Sequence, residues 1–422
     1  MKNLIKKFHF ILFSLILIHC SKDSSSDPIS PNLNSIVTRP HELELYKSKT
    51  FNLFAVSDNG EDISFSLNTN PSNGVATITG KELTYTPNYN FQGLETFNVT
   101  ATTSSSTATF PVSIDVFENP YKDFEITDVK QITITYENSE LDGSYADYTC
   151  KFNGVERQFS IFTPNGLLKY KSNEVPLFMY FHGSNGTSLP SSYLEILRVI
   201  QKYNKKLIYV RPQGLPGTAE EGEATGGMTN ARGFNYYFPG WREQNDDVGF
   251  VNALINYLHD NYSISHKKII IGGFSTGGSF VPVMGSENEL IDGVIQGAGM
   301  MHTYYNYSYE QPIKYHAWKG TADGYHPYGY DENYPYFWGI NEALEMFSEI
   351  KSCQENTSTT LPDLNNDGSL VEKFNIQCYD GSSFNGYKMW WWGHIEPWGL
   401  DSPYANYYAD INIFQILSEI IE

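Results

Sequence analysis

Basic residues are scarce in this chain. Its 422 residues include 28 lysines and arginines against 48 aspartates and glutamates, which gives a formal net charge of −20. A polyanionic partner, such as nucleic acid or an anionic membrane surface, requires clustered lysine and arginine side chains. The composition therefore argues against nucleic acid as a partner, and solubility accounts for the excess of acidic residues.

A hydrophobic run long enough to cross a bilayer is also missing from the N-terminus. The apolar stretch at residues 10–18 is far shorter than the roughly 20 residues that a membrane-spanning helix needs. It follows Lys2, Lys6 and Lys7, and a basic segment before a short apolar segment is the pattern of a signal peptide. We therefore predict a signal peptide over residues 1–19.

The end of that segment predicts a lipid anchor. Leu17-Ile18-His19-Cys20 resembles a bacterial lipobox, with Cys20 as the lipidated residue and residues 20–31 as a flexible tether. His19 replaces the small residue usual before the cysteine, so cleavage without lipidation stays an alternative. The expected location is the cell envelope, anchored to the outer membrane and exposed at the surface, or else the secreted fraction.

Cysteine is rare, with four residues in the chain. With Cys20 assigned to the lipid, Cys353 and Cys378 are predicted to form a disulfide, because they fall within one domain of an exported protein. Cys150 is then left over and is predicted to be a small buried side chain rather than a reactive thiol.

Residues 32–118 show the pattern of an all-β domain. Apolar residues alternate with polar ones in several short runs that are separated by turn-forming clusters, which predicts an Ig-like β-sandwich. The segments Asn73-Gly74-Val75, Leu83–Asn88 and Phe91-Gln92-Gly93 resemble bacterial cadherin-like repeats of the Ig type. Pro120 marks the expected boundary.

Residues 125–422 alternate between strand and helix patterns, which predicts an α/β fold with a mostly parallel sheet flanked by helices. The expected strands are Pro176–Tyr180, Leu207–Val210, Lys267–Ile271, Val294–Ala298, Ile313–Trp318 and Lys388–Trp392. The expected helices are Tyr193–Tyr203, Asp246–His259, Asn341–Phe347 and Ile411–Ile421. Stretch 214–241 has no clear period and is interpreted as a cap or a substrate-binding loop.

The motif Gly273-Phe274-Ser275-Thr276-Gly277 follows the apolar strand at Lys267–Ile271. A G-x-S-x-G sequence at such a strand end is typical of a nucleophile elbow, in which a sharp turn raises the serine hydroxyl above the sheet. The following helix directs backbone N–H groups at the same point. Ser275 is therefore the candidate nucleophile.

A nucleophilic serine needs a base and an acid that orients the base. In an α/β-hydrolase the chain order is serine, acid, histidine, each placed after a strand. Asp323 and His394 satisfy that order, each just past a predicted strand. The alternatives are Asp331 for the acid and His302, His316 or His326 for the base.

The loop after the strand at Pro176–Tyr180 supplies the expected oxyanion hole. Its glycine-containing sequence lets the backbone at Gly183 and Ser184 approach a reacting carbonyl, with the N–H of Thr276 as a further donor. His182 is interpreted as a structural residue that orients this loop.

Together these motifs resemble the polyhydroxybutyrate depolymerase and feruloyl esterase group of α/β-hydrolases. The similarity extends over residues 145–400 and includes Gly154–Arg157, Arg211–Gly214, Asn245–Val251 and Gly320–Asp323. It implies Ser275, Asp323 and His394 as a catalytic triad, a paired half-cystine at Cys353 and Cys378, and no metal or organic cofactor. Trp391 and Trp392 stand where the group has glycines, which narrows the expected acyl site.

The resemblance implies a carboxylic ester hydrolase that acts on polymer-linked esters. Feruloyl or acetyl esters of plant polysaccharide are the expected substrate, and a polyester of the polyhydroxyalkanoate kind is the alternative. Trp241, Trp392 and Tyr304 are candidate substrate-binding residues, and packing of such aromatic side chains against the sheet is the alternative. A serine peptidase of the same fold and a non-catalytic surface adhesin remain as alternative functions.

Overall fold

A computed structural model describes the greater part of the chain. The described residues are 33–35, 41–57, 60–133, 136–138, 143–165, 175–184, 186, 207–216, 232–235, 245–262, 264–324, 328, 337–362, 370–390, 393, 416–417 and 419–420. Within these ranges, no helix combines the length and the apolar character that crossing a membrane requires.

The described residues of the N-terminal part form strands and their connections, without a helix. The strands are β1 (Leu33–Ser35), β2 (His41–Glu44), β3 (Lys49–Asn52), β4 (Ala55–Ser57), β5 (Ser64–Leu67), β6 (Gly74–Thr79), β7 (Glu82–Pro87), β8 (Gly93–Thr102) and β9 (Thr107–Phe117). One sheet has the order β2-β9-β8-β5 and a second has the order β3-β7-β6. Side chains from both sheets, such as Tyr85 and Phe97, share one hydrophobic core, so this part is a sandwich of the Ig type.

The rest of the chain combines strands with helices. The strands are β10 (Thr127–Gln131), β11 (Tyr136–Asn138), β12 (Gly143–Phe152), β13 (Val155–Pro164), β14 (Val175–Phe181), β15 (Ile208–Pro212), β16 (Leu215–Pro216), β17 (Arg232–Gly233), β18 (Ile264–Phe274), β19 (Ile291–Gly297), β20 (Met301–His302), β21 (Lys314–Gly320), β22 (Phe337–Trp338), β23 (Thr357–Thr360), β24 (Val371–Gln377) and β25 (Ser383–Met389). The helices whose bounds lie within the described residues are α1 (Asp247–Tyr262), α2 (Thr276–Glu287) and α3 (Ile340–Lys351).

The strand order identifies the fold of this larger part. Twelve strands form one sheet whose central order is β12-β13-β15-β14-β18-β19-β21-β25. The pairs from β15 to β25 are parallel, whereas β13 runs antiparallel to β15. In this order β15 lies between β13 and β14, so β14 and β15 have exchanged places relative to the chain order. A mostly parallel sheet with this exchange is the α/β-hydrolase arrangement. The strands β10, β11, β24 and β23 extend it at its two ends in antiparallel pairing.

Both faces of the sheet are buried, as expected for a parallel sheet. One core cluster joins strand residues such as Ile271 to Leu254 and Phe280 on the helices. A second cluster, on the other face, joins Ile270 and Trp318. Because the strand interiors are enclosed, the polar chemistry of the fold is confined largely to the strand ends.

One predicted strand was wrong. The apolar and aromatic run at Lys388–Trp392 was expected to be the last parallel strand, but β25 covers Ser383–Met389. This strand contains Asn385 and Gly386, and buried Asn385 accepts a 2.7 Å hydrogen bond from Asn375 Nδ2 of β24. The buried strand therefore contains a hydrogen-bonded amide pair, whereas the prediction was based on a run of apolar and aromatic side chains. The predicted helix at Tyr193–Tyr203 lies outside the described residues.

Candidate active site

Ser275 lies in the sharp turn between β18, which ends at Phe274, and α2, which begins at Thr276. Its backbone has φ 56° and ψ −121°, a region that non-glycine residues seldom occupy. Such conformations cost on the order of 1–3 kcal/mol and persist where surrounding contacts impose them. Here the Ser275 N–H donates to Gly297 O at 2.9 Å, and Ser275 O accepts from Ser279 N–H at 2.9 Å. The strained serine is therefore held at both ends.

The glycines of the motif are required by close backbone approaches. A Cβ on Gly273 would lie 2.4 Å from the carbonyl oxygen of Gly277. A Cβ on Gly277 would lie 2.2 Å from the carbonyl oxygen of Phe181. Only residues without side chains fit there, because these distances are shorter than van der Waals contact. The turn thus packs directly against the end of β14.

The loop after β14 passes beside the serine. A Cβ on Gly183 would lie 3.0 Å from Ser275 Cβ, and Ser184 Oγ donates to Thr276 Oγ1 at 3.4 Å. Thr276 is the first residue of α2, so its N–H has no partner within the helix. The structure therefore brings together Ser275 and the three residues predicted to form the oxyanion hole, Thr276, Gly183 and Ser184.

His182 orients this loop, which confirms its interpretation as a structural residue. Its Nε2 accepts a 3.0 Å hydrogen bond from Gly214 N–H. The neutral imidazole then carries its proton on Nδ1, which donates to Gly183 O at 2.7 Å. Only 1% of His182 is exposed, so its ring connects the oxyanion loop to the segment after β15 and is not available as a base.

Asp323 lies in the turn that follows β21. The side chain is buried, and the turn is held by Thr321 N–H, which donates to Met389 O at 2.9 Å. Lys319, the next-to-last residue of β21, is buried as well. Burial lowers the pKa of Lys319 to about 7, although the negative charges of Asp323 and Glu342 act to raise it. The turn after β21, called the acid loop below, therefore places the Asp323 carboxylate close to the buried amine of Lys319.

Gly393, the residue before the predicted base, lies near the turn that carries Asp323. A Cβ on Gly393 would lie 3.9 Å from the carbonyl oxygen of Ala322, which adjoins Asp323. His394 itself lies outside the described residues, and β25 ends at Met389 rather than directly before it. The residue that precedes the predicted base is thus next to the residue that precedes the predicted acid.

Two of the alternative histidines are core residues. His302 and His316 are buried, and burial lowers the pKa of His316 to about 3. His316 Nδ1 lies 3.1 Å from Tyr387 Oη, within the sheet interior. The remaining alternatives, His326 and Asp331, lie outside the described residues.

The aromatic candidates divide between surface and core. Tyr304 is 53% exposed and is therefore accessible to a ligand, whereas Tyr307 and Tyr309 of the same stretch are buried in the core. Trp241 and Trp392 lie outside the described residues, as does Cys20.

The structure joins Cys353 and Cys378 by a disulfide that links the end of α3 to the end of β24. Cys150 is buried in β12, and burial raises the pKa of its thiol to about 12. The expectation that Cys150 is a small buried side chain is confirmed.

One buried ion pair was missed by the sequence reasoning. Arg157 of β13 contacts Asp247 at the start of α1, and both side chains are almost fully buried. The second oxygen of Asp247 accepts from Asn235 N–H at 2.7 Å. Both residues fall in motifs shared with the resembled group, but nothing in one sequence shows that the two motifs meet.

A comparison with protein families supports the separation of an N-terminal domain from the rest of the chain. Residues 27–115 match the bacterial Ig domain family, so the N-terminal part is a bacterial Ig domain. The chain has no significant match among curated protein sequences.

The structure is similar to solved hydrolases at low sequence identity. An S-formylglutathione hydrolase from Agrobacterium tumefaciens is 13% identical, with a TM-score of 0.46 over 69% of this chain and 100% of that one. Acetyl xylan esterase 1 from Thermoanaerobacterium sp. JW/SL YS485 is 9% identical, with a TM-score of 0.40 over 70% of this chain and 89% of that one. A ferulic acid esterase is 13% identical, with a TM-score of 0.39 over 69% of this chain and 98% of that one.

Proposed function

We propose that this protein is a serine carboxylic-ester hydrolase whose nucleophile is Ser275. The observation that carries the proposal is the strained backbone of Ser275 beneath the Gly183 loop at the end of β18. A strained serine at a strand-to-helix turn, close to two sources of backbone N–H groups, fits nucleophilic attack on a carbonyl carbon.

In the proposed mechanism, Ser275 Oγ attacks the ester carbonyl while His394 takes the hydroxyl proton. Asp323 holds the imidazole in the correct tautomer and stabilises the imidazolium. The N–H of Thr276 and the backbone at Gly183 and Ser184 stabilise the oxyanion, and each such donor lowers the barrier by roughly 2.7–4 kcal/mol.

The tetrahedral intermediate then collapses to an acyl-serine. His394 returns its proton to the leaving alcohol as the C–O bond breaks. Water attacks the acyl-serine with His394 again acting as base, which releases the carboxylic acid and restores the Ser275 hydroxyl. The steps need no metal or organic cofactor.

The proposed substrate is an ester attached to a polymer, such as a feruloyl or acetyl group on plant polysaccharide. A bacterial Ig domain ahead of the hydrolase suits an insoluble substrate outside the cell, and the lipobox-like segment suits attachment to the outer membrane. Mass spectrometry of the mature N-terminus tests the anchor: a diacylglyceryl-modified Cys20 supports it, and an unmodified terminus contradicts it.

The experiment that tests the activity compares the full chain with two serine variants on p-nitrophenyl acetate, p-nitrophenyl butyrate and methyl ferulate. Ser275→Ala should lower kcat by roughly 10⁶-fold. Ser286→Ala is the matched control, since Ser286 lies on the same helix, donates to Ser308 O at 2.7 Å and should leave kcat unchanged.

The outcomes separate the candidate functions. Loss of turnover in Ser275→Ala alone supports the esterase, and a preference for ferulate over butyrate supports a polysaccharide ester over a polyester. Faster turnover of an amide than of the matched ester would favour a serine peptidase. Absence of turnover in the wild-type protein would contradict the esterase and favour an adhesin.

A further inference from the structure

Three potential metal ligands from distant parts of the chain meet where the Ig domain adjoins the hydrolase part. Glu42 lies on β2, His259 in the last turn of α1, and His266 near the start of β18. Each offers a ligand atom, and these atoms all lie within 4.8 Å of one another. We propose that Glu42, His259 and His266 form a binding site for a divalent transition-metal ion of the zinc class, which fastens the Ig domain to the hydrolase part.

His266 provides the strongest argument for a ligand. It is 1% exposed, and neither of its ring nitrogens has a hydrogen-bond partner among the described residues. Leaving a buried polar group without a partner costs about 1–3 kcal/mol, so such groups are rare in folded proteins. A bound metal ion would give one of these ring nitrogens a partner.

Glu42 is fixed in position beside the His266 ring. Its two carboxylate oxygens accept hydrogen bonds from Ser265 Oγ at 2.6 Å and from His266 N–H at 2.7 Å. A carboxylate has about four lone-pair sites, so both oxygens retain capacity for a metal. The two bonds therefore orient this ligand in the way that outer-sphere partners orient ligands in known metal sites.

The third ligand has an orienting carboxylate of its own. His259 Nδ1 lies 3.3 Å from Asp260 Oδ1, and a proton shared there leaves the lone pair on Nε2. The His259 and His266 rings are adjacent, with centroids 3.9 Å apart. Two imidazoles and one carboxylate form a donor set that suits zinc, whereas calcium and magnesium prefer oxygen ligands alone.

Two clefts give an ion access to the site. A cavity of about 380 Å³ is lined by Glu42 and His259, and another of about 180 Å³ is lined by His259 and His266. The lining of the larger cavity contains four acids and two lysines: Glu42, Glu44, Glu82 and Asp260 against Lys47 and Lys49. This balance favours a cation, and water from either cleft can complete the coordination of three protein ligands.

The site lies away from the proposed catalytic centre. His266 is near the first residue of β18 and Ser275 follows its last residue, so the two are separated by the length of the strand. A metal here would act on the junction, where Lys267 also contacts Asp115 of the Ig domain. The expected effect is on stability, because an ion that binds only the folded form raises Tm.

The test uses the full chain after chelator treatment, with Zn²⁺ alone as the probe. Zinc content after gel filtration, zinc affinity and Tm are measured for the wild-type protein, Glu42→Gln and His259→Gln. The matched control is Glu95→Gln, a buried glutamate of the same domain that accepts from Ser72 N–H and Asn73 N–H.

The wild-type protein and Glu95→Gln should each retain about one zinc per chain, with Tm raised by about 5 °C or more in excess zinc. Glu42→Gln and His259→Gln should bind more than about 100-fold more weakly and show no such rise. Absence of stoichiometric zinc in the wild-type protein, unaltered zinc affinity in both variants, or equal stabilisation by Ca²⁺ would overturn the proposal.

A measurement on the wild-type protein alone guards against variants that do not fold. Co²⁺ bound to two imidazoles and a carboxylate in low coordination absorbs visible light more strongly than aqueous Co²⁺ does. Added Zn²⁺ should displace the bound Co²⁺ stoichiometrically. A Co²⁺ complex without visible absorption beyond that of free Co²⁺ would contradict the site whatever the variants do.

Discussion

The Ig domain and the twelve-stranded α/β sheet bury their strands in different ways. Along β8, buried and more exposed residues alternate, because one face covers the core and the other faces solvent. Along β14, every residue from Pro176 to Phe181 is buried, because helices and other segments cover both faces of the sheet.

This difference explains where the proposed reactive groups lie. A strand enclosed on both faces has no exposed position in its interior, so a nucleophile must stand at its end. Ser275 follows β18, Asp323 follows β21, and Gly183 follows β14. The sandwich offers polar positions along the full length of its strands, and those of β8 that are not buried are largely threonine and asparagine.

The largest expected effects fall on the proposed base and the proposed acid. His394→Ala should lower kcat by roughly 10⁶-fold and Asp323→Asn by roughly 10⁴-fold, because one removes the base and the other its orientation. Tm is followed beside kcat, so that a catalytic loss is distinguished from a loss of fold. Steady-state kinetics and thermal melting measure both quantities, and Asp331→Asn is the control. Full activity in Asp323→Asn, or an equal loss in Asp331→Asn, would show that the acid is misassigned.

A second prediction concerns a buried charge inside the α/β part. Asp247→Ala should lower the free energy of unfolding by about 3–5 kcal/mol, because it leaves the buried Arg157 without its counter-charge. Urea denaturation measures the loss. Asp128→Asn is the control, since Asp128 pairs with Lys151 at 2.8 Å on the surface and should show no measurable loss. Equal stability of both variants would mean that the buried pair contributes nothing.

A third prediction separates glycines that are required by packing from those that are not. Gly277→Ala should destabilise the protein by about 1–3 kcal/mol or more and lower kcat, because its Cβ would overlap Phe181 O. Gly324→Ala, in the acid loop, meets nothing within 4 Å and should be tolerated. Denaturation and ester turnover test both changes. Wild-type stability and wild-type turnover in Gly277→Ala would contradict the described packing of the elbow.

The smallest expected effect depends on pH. The pKa of Lys319 is lowered to about 7 in the folded protein, from about 10.4 in the unfolded chain. The unfolded chain therefore binds the Lys319 proton more tightly than the folded protein does. Burying the charged amine lowers the free energy of unfolding by its full amount below about pH 7, and this cost disappears as pH rises to about 10.

Lys319→Met should remove this penalty. We expect a gain in unfolding free energy on the order of 1 kcal/mol at pH 6, limited because Asp323 and Glu342 lose a nearby positive charge, and a smaller gain at pH 9. Denaturation at both pH values checks the sign. A gain that grows with pH would contradict the lowered pKa.

Much of the fold could be predicted because its signals are local. The strand before Ser275 was expected at Lys267–Ile271 and covers Ile264–Phe274, and the helix expected at Asp246–His259 covers Asp247–Tyr262. Apolar periodicity and the glycines of the elbow are properties of short segments, so one sequence suffices to find them.

What could not be predicted depends on contacts between distant segments. The Arg157–Asp247 pair joins two motifs, and the cluster of Glu42, His259 and His266 joins two domains. The position of β25 failed for a related reason, since Asn385 is acceptable in a buried strand only because Asn375 of β24 lies opposite. Pairing partners of this kind leave no periodic trace in the sequence.

The most direct test of the central claim is covalent labelling of the full chain with a fluorophosphonate, followed by peptide mass spectrometry. Such reagents phosphonylate a serine only where a base and an oxyanion hole activate it. The account predicts one adduct per chain, on the peptide that contains Ser275, with no adduct in Ser275→Ala. An adduct on another serine, or no adduct on the folded wild-type protein, would contradict it.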